Sequence, residues 1–119
     1  MKILIVDDNR SLATVIQCML EQKGYEVSSA SDGSEGYSVY FQFRPDLVIT
    51  DIQMPGENGL ELISHIREKD PSVKTIYMSG NLEKFDRLLE EERKRFHINI
   101  LSKPFIIEDL IKQVSEFSN

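Results

Sequence analysis

Residues 46–59, DLVITDIQMPGENG, place a carboxylate at the end of a short apolar stretch. The stretch is rich in β-branched residues, with Pro45 before it and Pro55 a few residues after it. A short apolar stretch bounded by turn residues predicts a buried strand. Asp51 then stands where the strand ends, and ligands of open parallel α/β sheets bind at that edge.

Three further predicted strands end in polar side chains. The first runs directly into Asp7 and Asp8, a later one delivers Ser79, and the last delivers Lys103. Because the carboxyl ends of parallel strands meet at one edge of a sheet, we expect these groups to lie near Asp51. Capping the following helix is the alternative role for one of the two adjacent aspartates.

Three clustered carboxylates indicate a bound cation. Two carboxylates about 4 Å apart repel each other by roughly 4 kcal/mol at an effective dielectric constant of 20. Oxygen ligands without histidine or cysteine favour a hard ion such as Mg2+, which keeps waters that phosphate oxygens can replace. The hydroxyl of Ser79 and the ammonium of Lys103 complete a set of groups suited to a phosphoryl group.

The rest of the chain alternates predicted strands and helices with short connections. The predicted strands are residues 2–6, 25–29, 47–50, 73–78 and 98–101, and the predicted helices are residues 10–23, 34–43, 59–70, 85–95 and 107–117. This alternation is typical of a doubly wound α/β fold, in which helices cover both faces of a parallel sheet.

The fourth predicted helix is weakly anchored. Its apolar residues are Phe85, Leu88 and Leu89, and the remainder is charged. Residues 90–95, EEERKR, predict a solvent-exposed face with acidic residues before basic ones, as the helix dipole favours.

The composition fits one acidic domain. A chain of 119 residues forms a single core, and the net charge of −6 argues against a nucleic-acid-binding surface, which would be basic. No apolar stretch approaches the length of a membrane span, and the N-terminus lacks the pattern of a signal peptide. We therefore expect a cytoplasmic protein.

A set of motifs in fixed order resembles the receiver domain of two-component response regulators. The set comprises Asp7-Asp8, Asp51 with Met54-Pro55 and Gly59, Ser79-Gly80, and Lys103-Pro104-Phe105. The resemblance extends from residue 2 to about residue 117. It implies one receiver domain over residues 1–119 with no effector domain, built on a five-stranded sheet in the flavodoxin-like order 2-1-3-4-5 with five helices.

The resemblance also implies a reaction. A histidine kinase or a phosphotransfer domain would donate a phosphoryl group from a phosphohistidine to Asp51. Lys103, before a cis bond to Pro104, would bind one phosphoryl oxygen, and the Ser79 hydroxyl would bind another. Asp8, Asp51 and the backbone carbonyl of Gln53 would hold Mg2+.

Asp7 would hold the metal through water or orient its ligands. Such a domain is a signalling module and not an enzyme, although it catalyses its own phosphorylation and dephosphorylation. Phosphorylation would shift the fourth helix and the fifth strand and so change the affinity for an effector that the sequence does not identify. The face formed by these two elements and the fifth helix would also support a homodimer.

One position departs from the family pattern. Receiver domains generally carry an aromatic residue three positions before the lysine, where this chain has Ile100. Isoleucine is β-branched and stiff at χ1, so we expect a less complete movement on phosphorylation. Tyr77 lies nearby and is a partial substitute, but the direction of its side chain cannot be predicted from the sequence.

Two other functions stay open. A receiver-like interaction domain with weakened phosphorylation switching would fit Ile100. A small Mg2+-dependent phosphohydrolase would also use an aspartate nucleophile, but it would carry an acid/base aspartate two residues later, where this chain has Gln53.

Overall fold

Five parallel strands alternate with five helices in the computed structural model, which describes residues 1–118. The strands are Lys2–Val6 (β1), Glu26–Ala30 (β2), Leu47–Asp51 (β3), Thr75–Ser79 (β4) and Ile98–Ser102 (β5). The helices are Arg10–Gln22 (α1), Gly33–Phe43 (α2), Gly59–Arg67 (α3), Leu82–Arg95 (α4) and Ile107–Ser118 (α5).

The strands form one sheet in the order β2-β1-β3-β4-β5, as predicted. The central strands β1, β3 and β4 are almost entirely buried, which explains why their sequences are continuous apolar stretches. In the register, Val6 pairs with Thr50, and Asp51 pairs with Met78. The carboxyl ends of β1, β3 and β4 therefore stop at the same edge of the sheet.

Helices cover both faces of the sheet. Helices α1 and α5 pack over one face, which includes Ile3, Ile5, Ile49, Ile76 and Met78. Helices α2, α3 and α4 pack over the other face, which includes Leu4, Val6, Val48, Tyr77 and Ile98. Because side chains alternate along a strand, the two residue sets interleave in the sequence. The predicted doubly wound α/β architecture is confirmed.

Three predicted boundaries differ from the structure by more than one residue, and several others differ by a single residue. Helix α4 begins at Leu82 and not at residue 85, because Leu82 packs against the core three positions before Phe85 and extends the apolar repeat by one turn. Helix α3 ends at Arg67, three residues before the predicted end, and a turn leads to Pro71. Strand β2 begins one residue later than predicted and extends to Ala30. Strand β4 begins two residues later than predicted and extends to Ser79.

Helix α4 presents few apolar residues to the sheet. Phe85 and Leu89 are buried, but Leu88 is 55% exposed. The exposed face predicted for residues 90–95 was wrong at Glu92, which is half-buried. Only a narrow stripe of this helix, roughly one residue per turn, reaches the core.

Gly59 brings the start of α3 against the end of β3. Its backbone N–H donates a hydrogen bond to the Ile52 carbonyl at 2.8 Å. A Cβ atom at this position would lie 2.3 Å from the Asp51 carbonyl oxygen. The lack of a side chain at Gly59 therefore allows the loop after Asp51 to fold back tightly.

Among residues 1–118, no helix has both the length and the apolar character needed to cross a membrane.

Candidate functional site

Three aspartates meet at the carboxyl edge of the sheet. Asp7 and Asp8 follow β1, and Asp51 is the last residue of β3. One carboxylate oxygen from each lies within 4.8 Å of the others. Asp7 is fully buried, Asp51 is 8% exposed, and Asp8 faces solvent. The predicted convergence of these side chains is confirmed.

The first helix does not use these aspartates as its cap. Asn9 is the N-cap residue of α1, and its side chain accepts a hydrogen bond from the Leu12 N–H. Asp7 accepts one from the Asn9 N–H at 2.9 Å through Oδ1, which fixes the orientation of its carboxylate. The alternative role of Asp7 or Asp8 as a helix cap was wrong.

Lys103 supplies the positive charge of the site. It follows β5, and its Nζ lies 3.3 Å from Asp7 Oδ2 and 3.3 Å from Asp51 Oδ2. Its backbone N–H donates to the Ser79 carbonyl at 2.8 Å, which ties the end of β5 to the end of β4. The peptide bond between Lys103 and Pro104 is cis, as the resemblance implied.

Ser79 and Gln53 flank this cluster. Ser79 ends β4 and is fully buried, and its Oγ accepts a hydrogen bond from the Asn81 N–H at 2.9 Å. Gln53 lies exposed in the loop after β3, and its backbone amide lowers the pKa of the Asp51 carboxyl slightly. All the residues predicted for the site therefore lie at one edge of the sheet.

The electrostatics of Asp51 are dominated by burial. Burial raises the pKa of Asp51 above its usual value, Lys103 opposes this shift, and the neighbouring Asp7 carboxylate adds to it. The folded protein thus holds the proton of Asp51 more tightly than the unfolded chain does. The ionised form of Asp51 therefore lowers the free energy of unfolding of the metal-free protein, and protonation of Asp51 removes this loss.

The raised pKa of Asp51 predicts a pH-dependent difference in stability. In EDTA at neutral pH, we expect Asp51→Asn to raise the Tm by a few degrees, since about 1 kcal/mol shifts the Tm of a small domain by about 4 to 8 °C. The advantage should shrink as the pH falls through the raised pKa, because the parent then carries a neutral Asp51. Thermal unfolding followed by circular dichroism measures both effects. A variant that is less stable than the parent at neutral pH would contradict the prediction.

The donor set suits a hard divalent cation. Three carboxylates face one ammonium, so the cluster carries an excess of negative charge even with Lys103 in place. The nearby ligand atoms are carboxylate oxygens, without histidine or cysteine in the group. Mg2+ prefers this chemistry and tolerates a site with one or two direct carboxylates.

A second polar cluster, centred two residues before Ser79 on β4, was not predicted. Glu92 of α4 lies against Arg67 of α3 and Tyr77 of β4, and we call these three residues the Glu92 cluster. No sequence spacing indicates it, because Arg67 and Glu92 are 25 positions apart and each appears within a charged stretch. Its only signal in the sequence is a tyrosine inside an otherwise apolar strand.

Comparisons with known proteins agree with this arrangement. The model of the response regulator receiver domain family matches residues 3–115. The alkaline phosphatase synthesis transcriptional regulatory protein PhoP of Bacillus subtilis is 35% identical over 88 residues, which are 74% of this chain and 37% of PhoP. The DNA-binding transcriptional regulator NtrC of Azospirillum brasilense is 34% identical over 117 residues, which are 98% of this chain and 24% of NtrC. The chain thus spans well under half the length of these curated relatives.

Solved structures give the same family. The response regulator TrrA of Thermotoga maritima, in complex with Mg2+ and BeF, is 30% identical with a TM-score of 0.83, and the match covers 98% of this chain and 97% of TrrA. The non-phosphorylated HemR receiver domain of Leptospira biflexa is 25% identical with a TM-score of 0.87, and the match covers 98% and 92% of the two chains. With the family match over residues 3–115, these findings establish that the chain belongs to the response regulator receiver domains, the signalling modules of two-component systems.

Proposed function

We propose that Asp51 is the phosphoacceptor of this receiver domain. The observation that carries the proposal is the geometry at the end of β3, where the Asp51 carboxylate lies 3.3 Å from Lys103 Nζ and beside two further carboxylates. A carboxylate next to a fixed cation and a cation-binding acidic group is suited to accept a phosphoryl group. The solved structure of the similar response regulator TrrA in complex with Mg2+ and BeF supports this chemistry.

The proposed reaction moves one phosphoryl group. An oxygen of Asp51 attacks the phosphorus of a phosphohistidine, the P–N bond breaks, and the imidazole of the donor leaves and takes up a proton. Lys103 and Ser79 bind phosphoryl oxygens of the product. Asp8, Asp51 and the Gln53 carbonyl would hold Mg2+, with Asp7 orienting these ligands, and the bound ion would supply positive charge to phosphoryl oxygens. Catalysis by this chain then consists of positioning and charge neutralisation.

The donor is a histidine kinase or a phosphotransfer domain. A groove of about 510 Å³ opens beside the site and is lined by Asn9, Leu12, Gly80, Lys103, Pro104 and Phe105. Its apolar residues give a partner domain a surface next to the Asp51 carboxylate. The product acts through an effector domain or protein, and this role fits relatives such as NtrC that extend well beyond the receiver.

The face of α4, β5 and α5 is the proposed surface of a homodimer. A groove there places Arg93 and Lys112 close to Asp109 and Glu116. A two-fold interface is self-complementary, so a patch that carries both charge signs can pair with its own copy.

The alternative functions receive less support. A phosphohydrolase would need an acid/base group two residues after Asp51, and Gln53 has no titratable side chain. A receiver-like interaction domain has no need of the ion pairs from Lys103 to Asp7 and Asp51. The intact set of charged groups favours phosphorylation.

The proposal is tested with a small phosphodonor. Incubation with acetyl phosphate and Mg2+, followed by intact mass spectrometry, should give a mass gain of one phosphoryl group. EDTA should prevent the gain, because the carboxylates then repel the donor. A protein that gains no mass with acetyl phosphate or with a phosphorylated histidine kinase would overturn the proposal.

Asp8→Ala should weaken Mg2+ binding at least tenfold, a loss of about 1.4 kcal/mol or more. Asp8 is the exposed member of the carboxylate group, so its removal leaves the buried part of the fold intact. Relief of like-charge repulsion should leave the variant as stable as the parent or slightly more stable. NMR titration with Mg2+ measures the affinity, and Asp86→Ala, which removes an exposed aspartate on α4, is the matched control. Unchanged affinity in Asp8→Ala would count against the proposed metal ligands.

A further inference from the structure

Helix α4 is held to the rest of the domain in two different ways along its length. Its first turn follows Gly80 and Asn81, and within residues 1–118 the Asn81 side chain makes no capping hydrogen bond to it. The Asn81 N–H instead donates to Ser79 Oγ. The start of α4 is therefore tied to the hydroxyl that, in the proposed function, turns toward the phosphoryl group.

The later part of α4 is held by the Glu92 cluster. Arg67 Nη1 lies 2.7 Å and 2.8 Å from the two carboxylate oxygens of Glu92. The Tyr77 hydroxyl donates to Glu92 Oε1 at 2.7 Å. The Arg67 guanidinium also stacks on the Phe96 ring, with 3.6 Å between its carbon and the ring centroid. Glu92 is thus bonded to α3 and β4 at once.

The partners of Glu92 cannot turn to solvent instead. Tyr77 is fully buried, and Arg67 is 9% exposed. Burial, together with Glu92, raises the pKa of Tyr77, so its hydroxyl stays a donor at all ordinary pH values. Loss of Glu92 would leave a buried cation and a buried hydroxyl without acceptors, which is among the costliest changes in a protein interior.

The hydrogen bond at Ser79 and the Glu92 cluster lie close together on β4, but they hold α4 with different strength. Ser79 and Tyr77 are two residues apart on β4, roughly 7 Å along the strand, and their side chains point to the same face. A new bond from Ser79 to a phosphoryl group is one charge-assisted hydrogen bond. In the Glu92 cluster two buried donors, Arg67 Nη1 and the Tyr77 hydroxyl, hold one carboxylate, so one bond at Ser79 is too little to break it.

We propose that the Glu92 cluster is a fixed pivot, about which the first turns of α4 move on phosphorylation while its last turns stay in place. The proposal rests on the proposed phosphorylation of Asp51. It assigns to Tyr77, Glu92 and Arg67 the role of positioning residues, because none of them contacts the site around Asp51. The pivot also transmits phosphorylation to α4 without the aromatic residue that receiver domains generally carry where this chain has Ile100.

Backbone amide NMR with and without beryllofluoride and Mg2+ tests the pivot. In the parent, amides of residues 80–85 should shift strongly, and amides of residues 89–96 should shift by less than half as much. In Glu92→Gln and Tyr77→Phe, the shifts should extend through residues 89–96. Glu91→Gln removes an exposed charge one residue earlier on the same helix and should keep the parent pattern. If Glu92→Gln does not fold, Tyr77→Phe provides the same test, because it keeps the buried ring and removes only the hydroxyl.

Intact mass after acetyl phosphate treatment separates the two proposals. All four proteins should gain one phosphoryl group, because the cluster lies outside the reacting groups. A parent that gains none overturns the proposed function and the pivot with it. A parent that is phosphorylated but shifts equally along the whole of α4, or a Glu92→Gln variant whose pattern matches that of Glu91→Gln, overturns the pivot alone.

Discussion

Asp51→Asn should abolish the phosphoryl gain from acetyl phosphate. Asparagine has nearly the same shape, so Lys103 and Asp7 keep their places, but its amide lacks the anionic oxygen that attacks phosphorus. The other carboxylates cannot substitute, since Asp7 is fully buried with its two oxygens bound to Asn9 and Lys103. Asp8 follows a different strand, β1, and faces solvent.

Intact mass spectrometry of the variant and the parent, treated side by side, measures this effect. Asp86→Asn is the matched control, because it makes the same chemical change at an exposed position on α4 and should label like the parent. Labelling of Asp51→Asn to the level of the control would show that another residue accepts the phosphoryl group.

Gly59→Ala should cause the largest loss of stability of any small substitution near the site. The added Cβ would lie 2.3 Å from the Asp51 carbonyl oxygen and 3.1 Å from the Ile52 Cα, and both are backbone atoms that cannot rotate away. Overpacking typically costs 1 to 3 kcal/mol and occasionally more. Because this clash is with backbone atoms, we expect a cost of about 3 kcal/mol. Alanine gains at most about 1 kcal/mol in helix propensity over glycine, so the clash dominates.

Thermal and urea unfolding measure the loss of stability. A net loss of about 2 kcal/mol lowers the Tm of a domain of this size by about 6 to 12 °C. Gly80→Ala is the control, since the nearest atom to its added Cβ is 3.9 Å away, and its Tm should stay close to that of the parent. Equal stability of the two variants would mean that the start of α3 moves away from β3 without cost.

The sequence predicted the structure correctly where a single segment carries its own apolar pattern. The apolar stretches that end at Asp7, Asp51, Ser79 and Lys103 predicted both the sheet and the meeting of these side chains, because parallel strands bring their carboxyl ends to one edge. The helices followed from their apolar repeats, although the repeat of α4 begins one turn earlier than predicted, at Leu82. Local pattern and overall fold agree in these parts of the chain.

Contacts between distant charged residues could not be predicted in the same way. Glu92 lies in a stretch that predicts a solvated helix face, and only the packing of α3 against α4 turns it toward Arg67. The direction of Tyr77 depends on the strand register, which places it beside Ile100 and toward α4. The tight approach of Gly59 to β3 is likewise a property of the loop conformation and not of residue type alone.

The phosphorylated residue itself is the most direct test of the central claim. The parent is treated with acetyl phosphate and Mg2+, the acyl phosphate is trapped by reduction with borohydride, and the digested protein is sequenced by mass spectrometry. The account predicts that the reduced residue is Asp51 and that the trapped product requires Mg2+. A trapped product at Asp7, Asp8 or any other carboxylate, with Asp51 unmodified, would contradict it.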